Sequence, residues 1–523
     1  MAALALMTAA CSNSDNDILT PAEQPAKAQG IPFTATISIG ESASTRALAE
    51  DGSGGLTATW AAGDKVALIH NGVNDEMEVE SVSGGVATIT GTITSATAGA
   101  DVTVIYPATA ADGATGNVKA NLLFDQSGAT LDDVASKYDV RKGTGKLQVS
   151  GDPSVASLKG NVALTNENAI WKLTLDQSAS DLYITTKGAL LARVTRATAG
   201  KEFYVAVPAV ASKTVSVIAT DETFFWYFSK PSVSLAAGKY YQSNVTMNEV
   251  STSSDEDVYE ILGTSSTTIP DGKTAVLRGI TIYGSIICAG DANIILQSDN
   301  TITANSESQT AIQIGGTGTT LTIMGTGSLT AKGGNYAAGI GTGDALTEGT
   351  IGGAITINGG TVTATGGESG AGIGTGDAYN GNNSCGAITI NGGTVTATGG
   401  NKAAGIGTGN ASNAANAYIN ACSNITINGG TVIATGGSGG AGIGTGYSMM
   451  NGSNNTHGNI TIGTGVTSVK ATKGSDSPNS IGKGSTFTSG GGTPTCGTIT
   501  IGGDATTYAA GVTDSPFTYP TAP

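Results

Sequence analysis

The chain is poor in aromatic and charged residues: of its 523 residues, 5% are aromatic and 12% charged. Glycine, by contrast, occurs 79 times. That balance argues against a helical enzyme and for a β-rich, corner-rich extracellular architecture. Basic residues are outnumbered 24 to 40, giving a net charge of -16. Such a surface repels nucleic acid and anionic membranes, so neither is an expected partner. No internal segment approaches 18 consecutive apolar residues, so no membrane-spanning helix is expected. Ser/His/Asp, P-loop and dinucleotide signatures are missing, and the Gly-Gly and GxG strings suit corners better than phosphate cradles. The length leaves room for three or four domains.

What the chain does have is a sentence written four times. Copies begin at Leu321, Ile355, Ile388 and Ile425, which are 34, 33 and 37 residues apart; the second reads ITINGGTVTATGGESGAGIGTG. A period in this range signals a solenoid, propeller or array. Each copy alternates apolar and polar residues, as a strand does. Asn-Gly-Gly and Gly-Gly fall where tight corners need positive φ. Three short strands per copy fit one coil of a parallel β-helix, whereas a propeller blade wants four longer strands and more aromatics.

The start, MAALALMTAACSNSDND, is a short apolar run ending at Cys11. It resembles the end of a bacterial lipoprotein signal peptide, with Ala9-Ala10 before Cys11 and Thr8 where Leu is usual. A basic n-region is missing, so the start reads as truncated or misplaced. The resemblance implies that Cys11 is the lipidated first residue. Residues 12–30 then form a polar tether.

Alternation begins at Ile31 and continues through short strands near 58–60, 65–70, 86–94 and 102–106, the spacing of an all-β sandwich. A second set runs from about 166 to 246, with a cluster of Trp171, Tyr183, Phe203, Phe224, Phe225, Trp226, Tyr227 and Phe228 as core. Thr45-Arg46, TWAAGDKV (59–66), Ile105-Tyr106-Pro107, FYVAVPA (203–209) and AAGKYY (236–241) follow in order. Through them residues 31–250 resemble the fimbrillin-like family of bacterial surface lipoproteins and pilus subunits. That resemblance implies two transthyretin-like sandwiches, 31–165 and 166–250, and export to the outer membrane, cell surface or fimbria. It also implies assembly with other fimbrial subunits by donor-strand exchange after cleavage at an early Arg. Arg46 or Arg141 fits such a processing site, and Arg46 fits equally an ordinary polar residue at a strand end.

Residues 251–273 are a polar, acidic joint, and 274–510 carry the coils, about eight in all, before a tail at 511–523. The coils begin weakly at 275–282 and 293–303, as terminal repeats do when they cap. TAVLRGITIYGSIICAGDANIILQSDNTIT (274–303), TLTIMGTGSLTAKGG (320–334) and the GIG-bearing copies resemble bacterial surface β-helices assigned to carbohydrate binding. The expected fold is therefore all-β: two tandem transthyretin-like sandwiches followed by a parallel β-helix.

Inside each coil, Ile355, Ile357, Val362 and Ile373 should point inward, each contributing about 2 kcal/mol on burial. Asn358, Asn391 and Asn428 share one corner, as ligand contacts or as an internal ladder satisfying backbone groups. Thr361, Thr363, Thr394 and Thr396 should point outward, either as a polysaccharide-binding grid or simply as good strand residues. Ile433 breaks that grid one coil on. Cys385, Cys422, His457 and Cys496 each lie three residues before a strand. Consecutive coils stand about 4.8 Å apart, within disulfide reach, and an exported protein permits a Cys385–Cys422 bridge. A stack of small residues is the alternative, and a linear stack does not converge on a metal tetrahedrally. Cys288 reads as core.

No cofactor and no catalysis are expected, since paired carboxylates or a basic residue beside clustered acids are not apparent in the copies. Asp344 and Asp377 both follow GIGTG, a corner compatible with weak Ca²⁺ binding, but Asn410 and Tyr447 replace them in the next copies. The copies disagree most at 344–353, 377–386, 410–423 and 447–458. Asp344, Asp377, Asn410 and Tyr447 are thus candidate ligand contacts beside the Thr grid. The expected function is a lipid-anchored or fimbria-associated adhesin binding glycan on a host or bacterial surface. A spacer or pilus component without a ligand, and a polysaccharide lyase or hydrolase, are the alternatives.

Overall fold

The computed structural model describes residues 30–39, 49–50, 56–57, 60–151, 154–344, 350–379, 381–411, 419–448, 454–486, 496–502 and 511–520. Two β-sandwiches are followed by a parallel β-helix.

In the first sandwich the strand Ile31–Ile39 buries Phe33, Ala35 and Ile37 and leaves the alternate residues outward. It pairs antiparallel with Val86–Ile93 on one side. On the other it pairs parallel with Val155–Leu158 and Val162–Asn166, so the eight strands close on themselves. Trp60 meets Tyr106 edge-on at 5.0 Å in this core.

Two long strands, Asn168–Thr186 and Ala189–Pro208, build the second sandwich. Their register shifts between Thr174 and Asp181. Bulges of this kind bend a strand, letting it serve both layers. The first half of Asn168–Thr186 accordingly pairs with Tyr240–Val245, and the second half with Val210–Thr220. Residues 122–138 precede this sandwich in sequence yet pack on it: Gln126–Ser127 pairs with Val194–Thr195, and Val134 and Tyr138 cover Ile170 and Tyr204.

The β-helix has three main faces. Among the described residues, nine parallel strands make the first, eight two- or three-residue strands the second and eight strands the third. Ile355, Ile388, Ile425, Ile460 and Ile499 stack in register on the first face. Val362, Val395, Val432 and Val469 stack on the third, and Ile373, Ile406, Ile443 and Ile481 on the second. All are at most 2% exposed. The second face is short because GIG turns so tightly. Gly374 has φ +137°, and a Cβ there would stand 1.7 Å from the Gly407 carbonyl oxygen. At the far end Phe517–Tyr519 runs antiparallel to Val469–Ala471 and covers the core.

The early coils differ from their expected weakness. Thr274–Arg278 and Ala292–Gln297 stack over five residues, as fully as any later pair on the first face. Their apolar runs are continuous because both sides are buried, as in sheets covered on two faces. Ala275, Leu277, Ile294 and Leu296 point into the coil, while Val276, Ile295 and Met324 point out and pack on Tyr183, Ile218, Phe225 and Tyr227 of the second sandwich. Three of the eight clustered aromatics, Tyr183, Phe225 and Tyr227, thus form the joint between domains instead of a sandwich core. Polar contacts border it: Thr322 Oγ1 donates to the Gly188 carbonyl at 2.7 Å, and Arg278 Nη1 to the Thr223 carbonyl at 2.6 Å. The other outward column of the first face, Thr274, Asn293 and Thr322, continues beyond the covered coils as Thr356, Thr389, Thr426, Thr461 and Thr500.

Candidate functional site: the variable edge of the helix

Two corners flank the two-residue second face. The first is the Gly-Gly turn after the third face, the second the residue after GIGTG. Backbone hydrogen bonds tie them together across coils. Asp377 N–H donates to Tyr336 O at 2.7 Å, Asn410 to Ser369 at 2.9 Å, Tyr447 to Lys402 at 2.7 Å and Ser485 to Gly439 at 2.8 Å. A column reading Tyr336, Ser369, Lys402, Gly439, Asp476 therefore runs beside one reading Asp344, Asp377, Asn410, Tyr447, Ser485. Most strand positions in these coils repeat; here the chemistry changes at each step.

The edge opens into a cleft of about 340 Å³ lined by Asn401, Lys402, Ser438, Gly439, Tyr447 and Asp476. Lys402 Nζ lies 5.8 Å from the Tyr447 ring centre. On the other wall, the Asp476 carboxylate accepts from Ser438 Oγ and Ser475 Oγ, while its own N–H donates to Ser438 O at 2.7 Å. Gly439 sits under the aromatic side chain. A Cβ added there would approach Tyr447 Cβ to 2.9 Å and Cδ2 to 3.0 Å.

The expected contacts divide. Asp344, Asp377, Asn410 and Tyr447 do share one column. Yet Asp377 is 7% exposed and Asn410 2%, each stacked against neighbouring coils, so they present little to a ligand. Tyr447 is half-buried and lines the cleft. Among the described residues no three His, Cys, Asp or Glu side chains converge to hold a metal. Thr361 and Thr394 are exposed on the third face, with Thr363 and Thr396 half-buried beside them, in register from coil to coil. Ile433 and Lys470 continue the Thr363–Thr396 column, so the grid is not uniform.

The corner asparagines form a ladder: Asn391 Nδ2 donates to Asn358 Oδ1, and Asn428 Nδ2 to Asn391 Oδ1, both at 2.8 Å. Sequence reasoning passed over a second ladder. Thr375, Thr408 and Thr445 of GIGTG are fully buried, and each hydroxyl accepts the N–H of the glycine one coil on, at 2.9–3.0 Å. The signal was present, since this Thr never varies among the four copies. The turn residues Lys402 and Asp476 were also overlooked, because they sit inside strings that read as plain glycine corners.

The residues that return after the variable loops are ordered as a fourth short ladder, Thr350–Ile351, Asn383–Cys385, Ile419–Cys422 and Asn454–His457. Within it Cys385 and Cys422 are disulfide-bonded across adjacent coils, Cα to Cα 4.5 Å. His457 continues the column in register, and Cys496 follows. Burial pushes the Cys496 thiol up, but hydrogen bonds and electrostatic attraction from His457, together with Lys483, outweigh it and leave the thiol below its ordinary value. Burial alone pushes Cys288 up to about 12. Arg141 is 5% exposed and held by Asp139 through Nε and Nη2 at 3.0 Å, so it is a poor processing site. Cys11 and Arg46 lie outside the described residues.

The four copies match the beta helix repeat family at residues 321–344, 355–377, 388–410 and 425–447. Among solved structures, the chain is similar to a fimbrial protein from Bacteroides ovatus, at 11% identity and a TM-score of 0.23. That match covers 42% of this chain and only half of the other. A tip fimbrial protein from Porphyromonas gingivalis, with C-terminal truncation, matches at 9% identity over 41% of this chain and 94% of its own, with a TM-score of 0.22. No curated protein matches. No helix among the described residues is long and apolar enough to cross a membrane.

Proposed function

We propose that the chain is a cell-surface or fimbria-associated adhesin in which the two sandwiches carry a beta helix that binds glycan along its variable edge. One observation carries this reading: near-identical coils gather their variable residues, by cross-coil hydrogen bonds, into one edge that opens as a cleft. Scaffold repeats with one varied line suit recognition better than chemistry, and the proposal includes no catalytic step. Attachment is through a lipid on Cys11, or through assembly with other fimbrial subunits after cleavage near Arg46. The firm docking of the helix on the second sandwich is what a displayed head needs, though it equally favours a rigid spacer with no ligand.

Glycan-array binding by the full chain separates the two. Selective binding that Tyr447→Ala abolishes, with the melting temperature unchanged, supports the adhesin. Silence across the array supports the spacer. Release of reducing ends from a bound polymer makes the protein an enzyme.

A further inference from the structure

We infer that the cleft at Tyr447 selects a carboxylated sugar residue, its acid group on Lys402 and its hydroxyls on Asp476. This deepens the adhesin reading and rests on it.

The residue distribution is the first argument. Lys402 is the only lysine or arginine between Lys332 and Lys470. It occupies a turn position filled by Tyr336, Ser369 and Gly439 in the other copies, and it lies directly beneath Tyr447. In a chain of net charge -16 an anionic ligand is repelled over most of the surface, so the one basic side chain of this stretch localises it.

The second argument is that the two walls are complementary. Lys402 and the Asn401 amide supply donors on one wall. Asp476, an acceptor exposed to solvent and anchored by two serines, supplies the other. A ligand carboxylate is attracted to Lys402 and repelled by Asp476, which fixes one orientation. Hydroxyl groups then face an acceptor, and charge-assisted hydrogen bonds of both kinds are among the stronger ones available. The Tyr447 ring supplies the apolar surface that a small-ligand site needs beside its few polar groups. The cleft's volume falls in the lower part of the range of such sites.

Third, the cleft depends on matched residues. Tyr447 occurs in the one copy whose turn carries Gly439, and any side chain at 439 would strike the ring. The aromatic floor and the glycine beneath it occur together, which an incidental surface Tyr does not require.

The test uses the full chain and two probes: an oligogalacturonate, and the same oligosaccharide with its carboxyl groups reduced to alcohols. At low salt the acidic form should bind at least tenfold tighter, and Lys402→Gln should erase that ratio while leaving the reduced form nearly unaffected. Gly439→Ala should weaken both forms at least tenfold without lowering the melting temperature. Equal binding of the two probes, or a ratio that survives Lys402→Gln, overturns the acid selectivity and leaves the edge reading standing. A chain that binds other glycans but neither probe overturns it too. Binding to no glycan at all removes the adhesin reading, and this inference with it.

Discussion

Ile295 of the beta helix and Ile218 of the second sandwich are both fully buried in one apolar cluster between the domains. The first face of the helix is thus a sheet with two insides over its early coils and one inside thereafter. Ile295→Ala should cost about 2–4 kcal/mol, the usual loss for emptying a packed isoleucine site. Thr426→Ala, at an outward position on the same face, should change stability by less than about 1 kcal/mol. Chemical denaturation of the full chain measures both, and equal effects would mean that the joint is not packed.

The inner threonine ladder makes a second prediction. Thr408→Val keeps the shape but removes the acceptor for the Gly446 N–H, leaving a buried donor unpaired. The expected cost is about 1–3 kcal/mol. Thr363→Val, outward on the third face, should cost almost nothing by the same measurement.

The Cys385–Cys422 bridge closes a separation of 37 residues. Replacing both with Ala should lower stability by about 2–4 kcal/mol, as typical disulfides do. Reductant should lower the melting temperature of the native chain but not of the double variant. A native chain indifferent to reductant would show that the coils need no staple.

Two thiols give a pH dependence of opposite kinds. Cys288 has an ordinary value of 9.0, raised to about 12 in the fold. Its neutral form is favoured on folding, so this contribution is complete below pH 9 and is lost as pH rises through 9 towards 12. Cys288→Ala should flatten the stability profile in that window. Cys496, held low by His457, should alkylate faster than an ordinary thiol near pH 8, and His457→Ala should slow it. Peptide mapping after limited alkylation reads both cysteines separately.

Much of this was legible from period alone. Recurrence of ITINGG and GIGTG specified the coil, the three sides and the inward Ile and Val stacks, since each copy is its own control for what must repeat. The two sandwiches and their order were also readable. The double burial of Val276, Ile295 and Met324 was not, because an apolar run reads the same whether a second domain covers it or the pattern has decayed. The site was half legible. Tyr447 stood out by replacing an acid or amide, but its pairing with Lys402 and Gly439 depends on a hydrogen bond between coils, which spacing within one copy cannot reveal. Asp377 and Asn410 looked equally available in sequence, yet stacking buries them.

The central claim is that recognition belongs to the varied edge and not to the repeated threonine face. It is tested most directly by measuring the affinity of one array-selected glycan for three full-length chains: unaltered, Tyr447→Ala, and Thr363→Ala with Thr396→Ala. Tyr447→Ala should lose at least tenfold in affinity, and the threonine pair should change it no more than twofold. Loss confined to the threonine pair, with Tyr447→Ala binding normally, would contradict it.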